Sequence, residues 1–335
     1  MEINEARYKN MIYNRCGKSG LKLPIISLGL WHNFGDNGDY NNMIDMCKTA
    51  FNNGITHFDL ANNYGPKYGA AEENMGKILK NELFRYRDEL IISTKAGYDM
   101  WDGPYGNWGS KKYLIASLNQ SLKRLNLEYV DIFYHHRMDP ETPLEETMHA
   151  LSQIVNSGKA LYVGFSNYDG FAMERASKIL LNLNCPFIIN QNRYSIFDRT
   201  IENNGLKLKA KKLGKGIIVF SPLAQGLLTD KYLNGIPKNS RISVDGRYLK
   251  KDAITKERLA KIKALNDLSL ERGETLAQMS LKWVLKDKEI TSVLIGASNS
   301  NQIKENLKII EKPNYFTKEE LIKIDEIINK DSNNI

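Results

Sequence analysis

The chain is poor in cysteine, has no long apolar run and lacks the glycine motif that marks many nucleotide-binding sheets. Its three cysteines, Cys16, Cys47 and Cys185, are odd in number and far apart, which argues against a disulfide framework and for free thiols in a reducing compartment. No apolar run reaches the ~20 residues of a membrane span. The opening M-E-I-N-E-A-R has no basic-then-apolar signal pattern. A cytoplasmic protein without a membrane partner is therefore expected. The five histidines, His32, His57, His135, His136 and His149, show no i, i+4 pairing and no nearby cysteine pair, so no metal site is expected. The motif G-x-G-x-x-G is absent, which counts against an open doubly wound sheet.

What is present is ordinary for a globular chain with a large core: 42% hydrophobic and 26% charged residues over 335 positions. That length suits one large domain or two ordinary ones. No composition break divides it, and residues 1–335 read as a single domain. The net charge is +8, concentrated in K-L-K-A-K-K-L-G-K at residues 207–215. Leucines at helical spacing there read as an outer amphipathic helix with a solvated lysine face. The stretch lacks aromatic interleaving, so no nucleic-acid partner is expected. A modest positive field suits a phosphorylated cofactor or an anionic substrate.

The chemistry is placed at residues 54–65, G-I-T-H-F-D-L-A-N-N-Y-G. Residues 55–60 have the pattern of a buried strand, stopped by the turn formers Asn62, Asn63 and Gly65. Asp59 then ends a strand and Tyr64 lies in the following loop, before a helix predicted over 70–80. Taken alone, Asp59 could be a helix cap and Tyr64 a packing residue. The next strand, 90–94, changes that balance, because it runs directly into Lys95. A lysine after a buried strand costs desolvation unless a carboxylate meets it. Asp59 is the natural partner, so Asp59, Tyr64 and Lys95 are expected to converge.

Elsewhere helices and strands alternate. Residues 13–30 hold a hairpin around Gly17-Lys18-Ser19-Gly20 and a first core strand, 25–30. Strands are predicted over 129–135, 160–165, 187–191, 216–220 and 292–295. Helices are predicted over 40–53, 111–125, 143–157, 171–182, 205–213, 256–272, 275–286, 301–309 and 318–329. A polar insertion, about 229–253, interrupts the rhythm. Eight strand–helix units imply a parallel sheet and suit closure. The expected fold is α/β, a (β/α)8 TIM barrel with an N-terminal β-hairpin and a long loop insertion after strand 7. In such a barrel the strand C-terminal ends carry the site.

Six stretches, G-I-T-H-F-D-L-A-N-N-Y-G, I-I-S-T-K, Y-H-H-R, G-F-S-N-Y, S-P-L-A-Q-G-L-L-T and I-G-A-S-N-S-N-Q-I-K-E-N, together resemble the aldo-keto reductases. The likeness runs from about Tyr13 to Asn306. It is most specific for the branch that contains bacterial L-glyceraldehyde 3-phosphate reductases and potassium-channel β subunits. The resemblance implies NADP(H) as cofactor, small aldehydes such as L-glyceraldehyde 3-phosphate and methylglyoxal as substrates, and a homo-oligomer, tetramer or larger. It implies a catalytic tetrad of Asp59, Tyr64, Lys95 and His136. His135 and His136 point to opposite faces of a strand, so one enters the site. Alignment on Arg137 gives that place to His136, and a register shift of one would exchange the two.

For the cofactor, the resemblance implies Ser166, Asn167 and Gln191 on the nicotinamide amide and Phe220 on its ring. Ser221, Pro222, Leu223, Ala224 and Gly226 would follow the pyrophosphate, with Lys231 and Arg241 on phosphates. Gly296, Ser298, Gln302, Glu305 and Asn306 would hold the adenosine end, and Leu30, Trp31 and Asp59 complete the contacts. Trp31, Trp101 and Arg137 would line the substrate pocket with Tyr64 and His136. Some relatives carry a basic residue in the segment around Asn299. A cofactor-sensing accessory subunit is the alternative reading, and a Schiff-base barrel enzyme built on Lys95 is a third.

Overall fold

Alternate residues of a strand face opposite sides, so a strand buried on both faces needs a neighbour at each edge and cover on the outside. The computed structural model describes residues 2–233, 235–237, 243, 252, 254–313 and 315–330. An antiparallel hairpin, β1 (Tyr13–Arg15) and β2 (Lys22–Pro24), comes first. Eight parallel strands then close a barrel: β3 (Ile26–Gly29), β4 (His57–Asp59), β5 (Ile91–Ala96), β6 (Val130–His135), β7 (Ala160–Ser166), β8 (Ile189–Arg193), β9 (Gly216–Phe220) and β10 (Ile290–Ile295). They pair in chain order, and β10 returns to β3.

The helices α1 (Tyr40–Asn52), α2 (Ala70–Ile78), α3 (Lys111–Leu125), α4 (Leu144–Asn156), α5 (Gly170–Asn182), α6 (Thr200–Asn203) and α7 (Leu206–Leu213) lie between successive strands. After β9 come α8 (Lys256–Glu271) and α9 (Leu276–Val284), and after β10 come α10 (Ser300–Leu307) and α11 (Lys318–Asn329). Side chains of Asp39, Ser110, Asp169, Thr255, Thr275, Asn299 and Thr317 accept from first-turn amides, which fixes where these helices start.

Two apolar layers result. Phe58, Ile92, Phe133, Phe165 and Val219 point outward into the helices, while Ile132, Tyr134, Ile189, Ile218 and Leu294 point into the barrel. Each fully buried Leu, Ile or Phe contributes about 1.5–3 kcal/mol. The hairpin plugs the N-terminal end of the barrel, away from the strand C-termini. Cys16 and Leu23 join the inner layer, and Lys18 N–H donates to the carbonyl of Gly214 at 2.8 Å. Gly17 has φ 55°, and a Cβ there would sit 2.1 Å from the Gly214 carbonyl oxygen, so this contact needs glycine.

Several boundaries differ from the sequence reading. The strand expected to stop at Thr94 runs on to Ala96, because Lys95 has a carboxylate partner inside the barrel. The helix expected to end at residue 80 passes instead into a π turn, Leu79–Leu83, and a 3-10 stretch, Phe84–Glu89, with Leu79 and Leu83 buried. The strand expected over 187–191 is Ile189–Arg193, since Asn190, Gln191 and Asn192 find polar partners and tolerate burial. The lysine face of α7 is partly solvated, as expected, and partly ion-paired: Lys211 and Lys212 are exposed, Lys211 beside Glu289 at 2.8 Å, while the half-buried Lys207 and Lys209 meet Asp287 and Glu174. Of the long insertion, the described part includes a 3-10 turn, Asp230–Tyr232, with Tyr232 buried. Arg241 lies outside the described residues.

Candidate active site

Strand periodicity aims Asp59, Lys95 and Gln191 into the C-terminal end of the barrel. Asp59 pairs in register with Ser93, so Lys95, two residues further, reaches diagonally back to it. Lys95 Nζ lies 2.5 Å from Asp59 Oδ2 and 2.5 Å from the carbonyl oxygen of Leu60. Ser93 Oγ donates to Asp59 Oδ1 at 2.7 Å and Gln191 Nε2 donates to it at 3.1 Å. Both charges are out of water, Lys95 at 0% and Asp59 at 2% exposure. Burial holds the Lys95 ammonium below its ordinary pKa, and the Asp59 carboxylate pushes it back up.

The loop after β4 carries Tyr64. It is pinned by Asn62 N–H on the carbonyl of Lys95 at 2.9 Å and by Asn62 Nδ2 on Tyr113 Oη at 3.0 Å. Lys95 Nζ stands 5.0 Å from the centroid of the half-buried Tyr64 ring. His136 follows β6 on the face of Ile132 and Tyr134, with its ring centroid 6.0 Å from that of Tyr64. Burial, with Lys95 nearby, drives the His136 pKa well down, so its imidazole is neutral. His135 faces outward, where its Nδ1 contacts Tyr168 Oη at 2.7 Å. The structure thus brings His136, and not His135, to Tyr64.

Around this centre lie Trp31, 6.2 Å from the Tyr64 ring, and Tyr98, edge-on to His136 at 4.7 Å. Arg137 is held between the rings of Trp108 (3.6 Å) and Tyr98 (4.2 Å). Its Nε donates to the carbonyl of Gly97 and one Nη to Asn107 Oδ1, both at 2.9 Å. Trp101 packs on Tyr113 at 5.1 Å. Tyr98, Trp108, Ser93 and His57 were not singled out from the sequence. Ser93 and His57 stand two residues before Lys95 and Asp59, the spacing that puts them on the same barrel face. Tyr98 and Trp108 come from a loop whose path no periodicity reveals.

The other expected residues that the structure describes stand at the ends of these strands, in the turn after β9 and on or before α10. Leu30 N–H donates to the carbonyl of Asp59 at 3.0 Å. Ser166 ends β7, and Asn167, at φ 57°, donates through Nδ2 to the carbonyl of His136 at 3.0 Å and to Ser166 Oγ at 3.2 Å. Phe220 ends β9 half-exposed. The turn after it holds Ser221, Ala224, Gln225 and Gly226 at positive φ, with Pro222 and Leu223 between. Lys231 is exposed beyond it. Just past neighbouring β10, Gly296 faces open space, with nothing within 4 Å of a Cβ added there. Asn299 caps α10, and Ser298 N–H donates to Gln302 Oε1 at 2.9 Å. Glu305 pairs with Lys308, and Asn306 is buried.

A nicotinamide dinucleotide fits these residues. An aromatic face, open space at Gly296, a left-handed turn after β9 and a helix N-terminus after the adjacent β10 suit a flat ring followed by phosphates. Among the described residues, no group of three His, Cys, Asp or Glu side chains could hold a metal ion, and no helix is long and apolar enough to cross a membrane.

The profile of the Aldo/keto reductase family matches residues 25–329. The L-glyceraldehyde 3-phosphate reductase of Escherichia coli (strain K12) is 52% identical over 328 residues, covering 97% of this chain and 94% of that protein. A putative voltage-gated potassium channel subunit beta of Schizosaccharomyces pombe is 37% identical, covering 96% and 94% respectively. A probable voltage-gated potassium channel subunit beta of Arabidopsis thaliana is 35% identical, covering 95% and 97%. With a profile spanning most of the barrel and relatives matched along nearly their whole length, the chain belongs to the aldo/keto reductase family.

Proposed function

We propose that this protein is an NADPH-dependent reductase of small aldehydes, L-glyceraldehyde 3-phosphate and methylglyoxal among them, with Tyr64 as proton donor. The observation that carries the reading is the Lys95 ammonium, bound to Asp59 at 2.5 Å and 5.0 Å from the Tyr64 ring. A free phenol, with pKa near 10, is a slow acid near neutrality. A neighbouring ammonium stabilises phenolate and makes the proton easier to give. The cofactor supplies the hydride that goes to the carbonyl carbon. Tyr64 delivers the proton to the carbonyl oxygen as that oxygen becomes an alkoxide, and neutral His136 hydrogen-bonds the same oxygen. Asp59 keeps Lys95 charged and in place.

For the cofactor, Gln191 and Asn167 use their amide N–H groups on protein oxygens and keep Oε1 and Oδ1 as acceptors for the nicotinamide amide, beside Ser166. Phe220 takes the ring. Ser221, Pro222, Leu223, Ala224, Gly226 and Lys231 follow the pyrophosphate, and Gly296, Ser298, Gln302, Glu305 and Asn306 the adenosine end. On the substrate side, Trp31 and Trp101 supply apolar walls. Arg137 pairs with no carboxylate among the described residues and stands next to His136, so it is assigned to a substrate phosphate. The reading includes a single cytoplasmic domain that assembles as a homo-oligomer, tetramer or larger.

The test is loss of absorbance at the reduced-nicotinamide band, with NADPH and then NADH, offering both aldehydes to wild type and Tyr64→Phe. Turnover with NADPH that collapses in the variant supports the reading. Tight NADPH binding without turnover would favour the cofactor-sensing subunit instead. Neither binding nor turnover would overturn both.

A further inference from the structure

Beneath the tetrad, the side of the barrel interior built by β10, β3, β4 and β5 is polar where branched apolar side chains are usual. Ser292 Oγ lies 2.7 Å from Ser27 Oγ, Ser27 Oγ 2.9 Å from His57 Nδ1, and His57 Nε2 2.9 Å from Ser93 Oγ. Ser93 Oγ in turn is 2.7 Å from Asp59 Oδ1. Ser27, His57, Ser93 and Ser292 are all 0% exposed. Four strands, β10, β3, β4 and β5, each contribute one link, and the line ends on the carboxylate that holds Lys95.

The direction of every bond follows from the last one. An ionised carboxylate only accepts, so the single hydrogen of Ser93 goes to Asp59. Ser93 Oγ must then accept from His57 Nε2–H. A neutral imidazole carries one N–H, which leaves Nδ1 bare and makes Ser27 its donor. Ser27, with its hydrogen committed, accepts from Ser292. The charged groups acting on His57 are Asp59 on its own strand and Lys95 on β5, while β3 and β10 present serines to it. Burial pushes the His57 pKa down to about 4, in keeping with a neutral ring.

We propose that His57, as its Nε2–H tautomer, is a positioning residue. It orders a one-way hydrogen-bond chain, Ser292 to Ser27 to His57 to Ser93, that locks Asp59 Oδ1 and leaves Oδ2 to Lys95. The consequence for proton delivery rests on the reading of Tyr64 above. A purely structural role is weaker, because apolar side chains of the same shape would fill this space without the need to satisfy every buried polar atom. When the chain is cut, Asp59 loses a donor and its negative charge is less compensated. The phenol of Tyr64 then ionises less readily, so turnover falls and the basic limb of the pH profile moves upward.

The experiment has three arms on the full chain with NADP+ or NADPH. In the first, 15N shifts of labelled histidines, assigned with His57→Gln, are followed from pH 5.5 to 9. A neutral His57 protonated at Nε2 throughout is the expected result, and protonation at Nδ1 or on both nitrogens overturns the proposal. In the second, Ser93→Ala and Ser27→Ala are expected to lower kcat roughly tenfold and move the basic limb up by roughly 0.5 pH unit. NADPH affinity, read by fluorescence, should stay unchanged, and Ser93→Cys, a weaker donor of similar size, should fall between wild type and alanine. Variants that bind NADPH normally with kcat and limb unmoved overturn the positioning role. In the third arm, Tyr64→Phe retaining turnover would sink the reading of Tyr64 and the positioning role with it. The direction of the chain would still stand or fall by the His57 shifts.

Discussion

Lys95 and Asp59 come from adjacent strands, 36 residues apart in sequence, and meet at 2.5 Å with almost no access to water. Removing one partner of such a pair strands the other charge. Asp59→Leu is therefore expected to destabilise the fold by about 3–5 kcal/mol, whereas the double variant Asp59→Leu with Lys95→Met should cost less than the sum of Asp59→Leu and Lys95→Met alone. Urea unfolding of the four proteins measures this, and additive losses would show that the pair is not coupled.

Tyr64→Phe keeps the ring and its packing but removes the acid. The expected loss in kcat is at least about 100-fold, the usual scale for a positioned proton donor. Affinity for NADPH should be unchanged in a fluorescence titration.

Arg137 sits one residue past His136, between two aromatic rings. If it meets a substrate phosphate, Arg137→Met loses a charge-assisted contact of about 2 kcal/mol, a KM increase of more than tenfold for L-glyceraldehyde 3-phosphate. KM for methylglyoxal, which has no phosphate, should change by less than about twofold. Equal changes for both substrates would remove Arg137 from phosphate recognition.

His57 and His135 are buried, and desolvation pushes each from 6.5 down to about 4. An imidazole depressed in the folded state is protonated first in the unfolded chain. Its stabilising effect is complete above pH 6.5 and is lost as pH falls towards 4. At 1.36 kcal/mol per pH unit, each ring contributes about 3 kcal/mol to that loss. Unfolding free energy measured at pH 7 and pH 5 should therefore drop, and the drop should shrink in His135→Phe.

Gly76 in α2 lies so close to α3 that an added Cβ would be 2.2 Å from the carbonyl oxygen of Arg124. Gly76→Ala forces the helices apart and is expected to cost about 1–3 kcal/mol despite alanine's better helix propensity. Thermal unfolding checks this, and a rise in Tm would show that the helices can yield.

The sequence by itself determined the repeat of strand and helix, the closed barrel and the convergence of Asp59, Tyr64 and Lys95. Those features rest on local periodicity, on turn residues such as Asn62 and Gly65, and on the cost of burying a lysine without a carboxylate. It placed strand ends less well. Lys95 lies inside β5, and β8 runs through Asn190, Gln191 and Asn192, because partners from distant strands satisfy those polar groups. Only the tertiary structure decided which histidine turns to Tyr64, since one residue of register exchanges the two faces. It alone showed Tyr98 against His136 and Trp108 against Arg137, and His57 and the serines joining Asp59 in a line. Those contacts depend on strand stagger around the closed ring and on the path of a glycine-rich loop, neither of which leaves a period in the chain.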